Sequence, residues 1–355
     1  MTFPDRLTKL LGLDLPIVQA PMAGAATPEL AAAVANSGGL GSLGVAMMSP
    51  AVLRETIGKL RGLTNKPFNL NYFVHQEPNL DGFDAKPMQA GLAPFYKEFG
   101  LGEVPAPASP APAFNAEALT LLLELAPRAV SFHFGLPDAA AIAAIRDKGI
   151  VILGCATTSA EARALEKGGV DAIVAQGHEA GGHRGTFLNH VDLGTVGTMA
   201  LVPQVVDAVK VPVIAAGGIG DARGIAAAFM LGAAGVQLGT AYLVCPETNM
   251  HPLHRKALAE ASDHATVVTK LFSGRPARAI RNHLTEELHH LEEKTAPFPT
   301  QRALVAALVG ASGKADRAEF MQLWSGQAAA LSKPEPAAEK TVRLMREAEK
   351  LMSGR

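Results

Sequence analysis

The sequence predicts an α/β protein of the (β/α)8 TIM-barrel class, with a smaller, mainly helical second domain over the barrel mouth. Three observations carry that expectation. Eight short, β-rich apolar runs recur along the chain without clean polar alternation, the pattern of parallel strands covered by helices. Helical segments separate the runs, and eight such units in 355 residues fit a barrel, typically about 250 residues, with a satellite. Glycines and neutral polar side chains gather at the C-terminal ends of the runs, where barrels of this kind place their active sites. A doubly wound open sheet is the alternative, but eight near-regular units favour closure.

Residues 16–22 read as the first strand, ending in Ala23-Gly24. Thr27 caps the helix that follows, Pro28 occupies its first turn, residues 30–35 continue it, and Asn36-Ser37-Gly38-Gly39 stops it. The second strand is 40–45, followed by Ser49-Pro50 and a helix through Leu60; the third strand is 68–74. The alternation then breaks. Residues 75–112 are rich in Pro, Ala and Gly, with one helical piece over 91–99 and linker composition over 105–112. They read as an insertion after strand three.

A helix over 116–125 restores the pattern. Strands follow at 129–134, 149–156, 170–176, 211–216 and 235–240, with helices over 159–167 and 222–231 among them. From His251 onward the chain reads as helices and loops, broken by Lys333-Pro334-Glu335-Pro336. We therefore expect residues 1–74 and 113–262 to form the barrel and residues 75–112 and 263–355 the smaller domain on the substrate side. Part of the C-terminal region must supply the helix that closes the barrel.

Composition narrows the function. Hydrophobic residues are 48% and charged residues 18%, normal to slightly apolar for a globular protein. A formal net charge of -1 gives no global field for nucleic acid or an anionic membrane, and 5% aromatic residues argue against a base-stacking platform. Cys155 and Cys245 lie in apolar runs and read as buried thiols in a reducing compartment. Residues 1–15 have no signal-peptide core, and no apolar run is long enough to span a membrane. A cytoplasmic location is expected. The oligomeric state stays open, with a homodimer as one assembly.

The stretch Ala175-Gln176-Gly177-His178-Glu179-Ala180-Gly181-Gly182-His183-Arg184-Gly185 follows a buried strand and combines four glycines with an amide, two imidazoles, a carboxylate and a guanidinium. It reads as the active-site loop. His183 is the leading candidate, because an imidazole near neutral pH can take a proton, give one, or hold an anion. The plain alternative, a structural histidine fixing the turn, is weakened by its place at a strand's C-terminal end. His133 and Ser131, at the end of strand four, are weaker substrate-side candidates. Glu179 could orient an imidazole or pair with Arg184. His178 belongs to the outside of the loop.

Gly217-Gly218 ends strand seven and Gly239-Thr240 ends strand eight. Free N–H groups at such turns cradle phosphate, and in this fold these two loops are the frequent phosphate site. A lone glycine pair merely makes a tight turn; two at consecutive strands weigh more. The chain has no GxGxxG fingerprint, no GxxxxGK[ST], no HExxH and no paired CxxC. His178 and His183 are poorly spaced for a shared ion, so no metal is expected. His289-His290 reads as a solvated pair. Arg275, Arg278 and Arg281 either cover an anion or form interdomain salt bridges.

These motifs carry a resemblance. Gln19-Ala20-Pro21-Met22, the stretch from Ala175 to Gly185, Ala215-Ala216-Gly217-Gly218-Ile219 and Gln237-Leu238-Gly239-Thr240 resemble the nitronate monooxygenases, formerly 2-nitropropane dioxygenases, in their bacterial class I branch. The resemblance covers the whole barrel. It implies non-covalent FMN at the barrel mouth, with Gly181, Gly217, Gly218, Gly239 and Thr240 around the phosphate. Met22, Asn69, Gln176 and Gln237 would line the ribityl chain or the ring, and His183 would be the catalytic histidine. The implied reaction is detoxifying oxidation of alkyl nitronates, such as propionate 3-nitronate, by dioxygen to a carbonyl compound and nitrite. No metal or NAD(P)H is required.

The alternative is an FMN-dependent NAD(P)H reductase of quinones or enoyl thioesters on the same fold. A third reading, from another class, is a non-catalytic phosphate or flavin sensor, for which His183 would be dispensable.

Overall fold

The computed structural model describes residues 3–110, 112–188 and 194–354. Eight parallel strands lie in one sheet: β1 (Ile17–Gln19), β2 (Gly41–Gly44), β3 (Phe68–Phe73), β4 (Ala129–His133), β5 (Val151–Ala156), β6 (Ala172–Gln176), β8 (Val213–Ala216) and β9 (Gly235–Leu238). The chain between β6 and β8 contributes the two-residue β7 (Gly182–His183). Around the sheet the order is β1-β9-β8-β6-β5-β4-β3-β2, and a parallel bridge from Val18 to Leu40 brings β2 back to β1. The expected (β/α)8 barrel is the observed fold.

Helix α1 (Arg6–Leu11) plugs the bottom of the barrel. Its Leu7 and Leu11 pack on Val18, Leu40, Ala129, Leu153, Val174 and Ile214. Above that apolar floor the interior turns polar. Asn69 donates to Ser42 Oγ (3.2 Å) and Ser131 Oγ (2.9 Å), and Asn71 also donates to Ser131 Oγ (2.9 Å). A barrel interior is filled by layers of side chains, so polar groups survive there only as a hydrogen-bonded set.

The covering helices start where local chemistry dictates. In α2 (Pro28–Asn36), Thr27 Oγ1 accepts from Leu30 N at 3.0 Å and Pro28 takes the first position. In α3 (Pro50–Leu63) Ser49 plays the same part. The insertion after β3 carries α4 (Lys86–Glu98), longer than the expected 91–99 piece. Of the linker-like stretch at 105–112, residue 111 lies outside the described residues, and the others carry no helix or strand. Next come α5 (Ala116–Leu125), α6 (Ala139–Asp147), α7 (Ser159–Lys167), α8 (Thr198–Ala208) and α9 (Ala222–Met230).

Beyond β9 the chain runs through α10 (Thr240–Leu243), α11 (Pro252–Ala259), β10 (Thr266–Thr269), β11 (Ala277–Ile280), α12 (His283–Glu287), α13 (Gln301–Lys314) and α14 (Ala337–Ser353). The expectation of helices and loops from His251 onward is corrected here. β10 and β11 pair antiparallel, and β11 also pairs with β7, Ala277 opposite His183. Each strand has only four residues, too few for a period-2 signal. The closing helix is α14, which packs against α9 and α2 and so fills the eighth helical position.

A separate apolar cluster unites α4 (Met88, Leu92, Tyr96) with Phe272 and with Leu304 and Leu308 of α13. Tyr96 Oη donates to Leu304 O at 2.7 Å across this cluster.

Candidate active site

The loop after β6 is pinned from below by Gln176. Its Nε2 donates to His183 O at 3.0 Å and its Oε1 accepts from Gly185 N at 2.8 Å. His133 Nε2 donates to the same His183 carbonyl at 3.2 Å. Arg184 is fully buried and also acts on backbone, donating to the carbonyls of Gly177 (2.6 Å), Gln176 (3.0 Å) and Gly194 (2.8 Å). On the far side of the loop, buried Glu161 accepts from Phe187 N (2.5 Å) and Leu188 N (3.2 Å), and from both groups of Thr157 (2.7 Å each). These bonds satisfy backbone groups that a glycine-rich loop would otherwise leave open, so the loop has one conformation rather than many.

His183 stands in an aromatic cage. Its ring lies 5.4 Å from both Phe298 and Trp324, 6.0 Å from Phe134 and 6.2 Å from Phe73. Its Nε2 is 2.9 Å from Ser273 Oγ. Burial pushes its pKa down to about 3, and His133, Arg275 and Arg302 push the same way. His133 is held down to about 4, again chiefly by burial. Both imidazoles are therefore neutral at pH 7.

Phe134, a wall of the cage, has φ of +74°. A non-glycine residue there stores about 1–3 kcal/mol of strain, a cost that clusters at functional sites. The Arg275 guanidinium stacks on its ring 4.0 Å from the centroid. Arg275 also donates to Arg184 O (3.3 Å) and to Thr186 O.

A glycine cradle adjoins the cage. Gly217 and Gly218 have φ of +102° and +69°, which L side chains rarely adopt. Gly181 lies against the chain after Trp324, where an added Cβ would stand 2.5 Å from Gly326 N. Gly326 N in turn donates to Thr240 Oγ1 at 2.9 Å. Among the described residues, no turn or loop hydrogen bond runs from the N–H groups of Gly218 and Gly239 to another backbone group, while the Ala216–Gln237 register turns the Gly217 N–H toward the β9 backbone. The glycine turns at these two adjacent strand ends form a nest that suits an anion. Since Gly181 and Gly182 immediately precede His183, one short segment joins cradle to cage.

The other expected residues sort as follows. Met22 is half-buried after β1, on the barrel core. Gln237 is half-buried on β9, beside Val18 and Ala216. Asn69 and Ser131 belong to the interior polar set, and Asn69 Oδ1 is buried without a partner among the described residues. His289 and His290 are solvent-exposed, as expected.

Three expectations need correction. Glu179 neither orients an imidazole nor pairs with Arg184. Its carboxylate accepts from Thr198 N (2.9 Å) and Thr198 Oγ1 (2.8 Å), at the first residue of α8, where negative charge meets unpaired N–H groups. Among the described residues Arg278 makes no salt bridge; it donates to His178 O at 3.1 and 3.0 Å and to Thr266 Oγ1 at 3.0 Å. Arg281 is exposed, with no ion pair among the described residues. His178, expected outside the loop, is half-buried, with Nδ1 enclosed.

Sequence reasoning missed Ser273, Phe298 and Trp324. No local pattern marks them, because they come from distant turns that only the tertiary fold brings to His183.

A family model for nitronate monooxygenase matches residues 4–347. The chain belongs to the nitronate monooxygenase family. It is an oxidoreductase of a flavin-dependent family whose activity is nitronate oxidation. A probable nitronate monooxygenase of Staphylococcus aureus strain MRSA252 is 41% identical over 334 residues, 94% of each chain. Among solved structures, nitroalkane oxidase from Streptomyces ansochromogenes is 37% identical with a TM-score of 0.88, over 98% of this chain and 99% of that one. FabK from Thermotoga maritima is 29% identical with a TM-score of 0.77, over 100% and 98%. Among the described residues, no helix is long and apolar enough to cross a membrane.

Proposed function

We propose that this protein oxidises alkyl nitronates, propionate 3-nitronate among them, with FMN and dioxygen, to a carbonyl compound and nitrite. The observation that carries the reading is His183: a neutral imidazole, caged by aromatic rings with no carboxylate against it among the described residues, two residues beyond Gly181 of the glycine cradle. A nitronate is a small anion with an apolar tail. The cage takes the tail, Arg275 supplies positive potential, and His183 holds or moves the proton.

The residues fit FMN. The N–H groups of Gly218 and Gly239, at adjacent strand ends, suit its phosphate, with Gly181, Gly217 and Thr240 beside them. Asn69 Oδ1 is a buried acceptor in need of a donor. Met22, Gln176 and Gln237 complete the expected lining, although Gln176 already uses both ends of its amide on the loop. Bound FMN supplies the means of accepting electrons from the nitronate, with dioxygen as terminal oxidant.

In the same reading, residues 1–74 and 113–262, with the closing helix, are the flavin-binding barrel. Residues 75–112 and most of 263–355 form the substrate-side domain that contributes Ser273, Phe298 and Trp324. The role is detoxification of reactive nitro compounds.

The test is oxygen uptake over a panel of nitronates, with NADH as control. Uptake with nitronates and nitrite release support the reading. Rapid anaerobic bleaching of the flavin by NADH, with none by propionate 3-nitronate, overturns it in favour of the NAD(P)H reductase alternative.

A further inference from the structure

We infer that Ser273 is a positioning residue that fixes the tautomer of His183, placing its proton on Nε2 and leaving Nδ1 as the nitrogen that meets the substrate. The inference rests on the proposed function for its consequence, but not for its geometry.

Three hydrogen bonds converge on the Ser273 hydroxyl. His183 Nε2 lies at 2.9 Å, Arg275 O at 3.2 Å and Arg275 N at 3.4 Å. A serine hydroxyl has one proton to give and two lone pairs to fill. The Arg275 N–H can only donate, and the Arg275 carbonyl can only accept. If the hydroxyl donates to the carbonyl and accepts from the N–H, one lone pair remains, and His183 must fill it by donating from Nε2. All three contacts are then made at once. In the opposite tautomer the hydroxyl donates to Nε2 and the Arg275 carbonyl loses its donor.

The hydroxyl is held in place independently of His183. Ser273 is buried, and its turn is closed by Ser273 N and Gly274 N, both donating to Lys270 O at 3.1 and 2.7 Å. Gly274 has φ of +84° and lies so close to residues 296–298 that a Cβ would stand 2.8 Å from Phe298 N. The turn bearing Ser273 and the segment bearing Phe298 are thus one packed unit. On the other side, the carbonyl of His183 is fixed by Gln176 and His133. Backbone and ring are both fixed, and among the described residues Nδ1 makes no hydrogen bond to protein.

The proton balance follows. With a neutral nitroalkane, the Cα–H bond breaks, Nδ1 takes the proton, and the electron pair moves into the nitro group to give the nitronate. With a ready-made nitronate, Nδ1 takes up one proton from bulk solvent, supplied by buffer acid whose conjugate base stays in solution, as the anion binds. Both routes reach the same complex, a nitronate beside an imidazolium whose Nε2–H remains on Ser273. Burial and the neighbouring cations disfavour the free imidazolium, so the anion itself must supply its stabilisation.

The experiment is nitrogen-15 NMR of the holoenzyme labelled at histidine, with the His183 signals assigned by difference from His183→Gln. We expect protonated Nε2 and unprotonated Nδ1; the reverse pattern overturns the inference. In parallel, Ser273→Ala should lose the single-tautomer pattern and lower kcat for propionate 3-nitronate about tenfold with little change in KM, whereas Ser273→Thr should keep both. Equal losses in the two variants, or none in Ser273→Ala, also overturn it. If the parent enzyme turns over no nitronate, the functional reading fails, while the NMR pattern still decides the role of Ser273.

Discussion

Gln176 clamps the loop that carries His183. One amide donates to the His183 carbonyl at 3.0 Å and accepts from the Gly185 N–H at 2.8 Å, bracketing Arg184 between them. The arrangement makes Gln176 a fastener of the loop whether or not it also touches the flavin. Gln176→Leu, close in size and apolar, leaves the buried Gly185 N–H without its acceptor. We expect a loss of about 2–3 kcal/mol in urea unfolding, with Gln176→Glu recovering part because it restores that acceptor. Equal stability of Gln176→Leu and the parent would show that the clamp is redundant.

His183→Ala should retain FMN and lose nitronate turnover by about 100-fold or more, the usual scale of a positioned proton carrier. The cradle residues do not depend on the imidazole, so flavin content is the internal control. Steady-state oxygen uptake reads the loss, and parental activity would move the chemistry elsewhere.

Gly217→Ala places a Cβ 3.0 Å from Ala180 N at a φ of +102°. An L residue there costs about 1–2 kcal/mol. Part of that cost should appear as weaker FMN binding, because Gly217 shapes the turn that carries the Gly218 donor. Fluorescence of released FMN during dilution measures it. A mutant that binds FMN as tightly as the parent would remove Gly217 from the phosphate site.

Acid should destabilise the fold in a defined window. His254 is buried, donates from Nε2 to Trp324 O at 3.0 Å, and has its pKa held down to about 4 by burial. A depressed histidine means the unfolded chain binds the proton first. Its contribution is intact above pH 6.5, the ordinary value, and is lost as pH falls from there toward 4. The slope is at most about 1.4 kcal/mol per pH unit for each such group. His133 and His183 act in the same direction. His254→Gln keeps a donor for Trp324 O and removes one titrating group. Its stability between pH 6.5 and 4.5 should fall less steeply than the parent's, and an unchanged slope contradicts the assignment.

Much of the barrel was legible because its signals are local. Thr27 with Pro28, and Ser49 with Pro50, mark helix starts within three residues of themselves. The strand-end positions of Gln176, Gly217 and Gly239 follow from counting strands. Charge partners were not legible in this way. Glu179 and Arg184 are close in sequence and opposite in charge, yet each serves backbone groups, because a buried turn has more open N–H and C=O groups than it has ions. Ser273 and Trp324 were hidden for another reason. They reach His183 across 90 and 141 residues of chain, a distance over which spacing carries no information.

The placement of α14 has a consequence for how the chain comes to be folded. The last strand of the barrel ends at Leu238, but the helix covering the seam between its first and last units begins only at Ala337. Everything that builds the far wall of the cage is threaded through that gap. During synthesis, the seam between β1 and β9 must stay uncovered until the wall has already left the ribosome. Assembly of the pocket and covering of the scaffold are therefore ordered in time, and an interruption in residues 239–336 should leave a barrel with a sticky, uncovered seam rather than a stable, empty one.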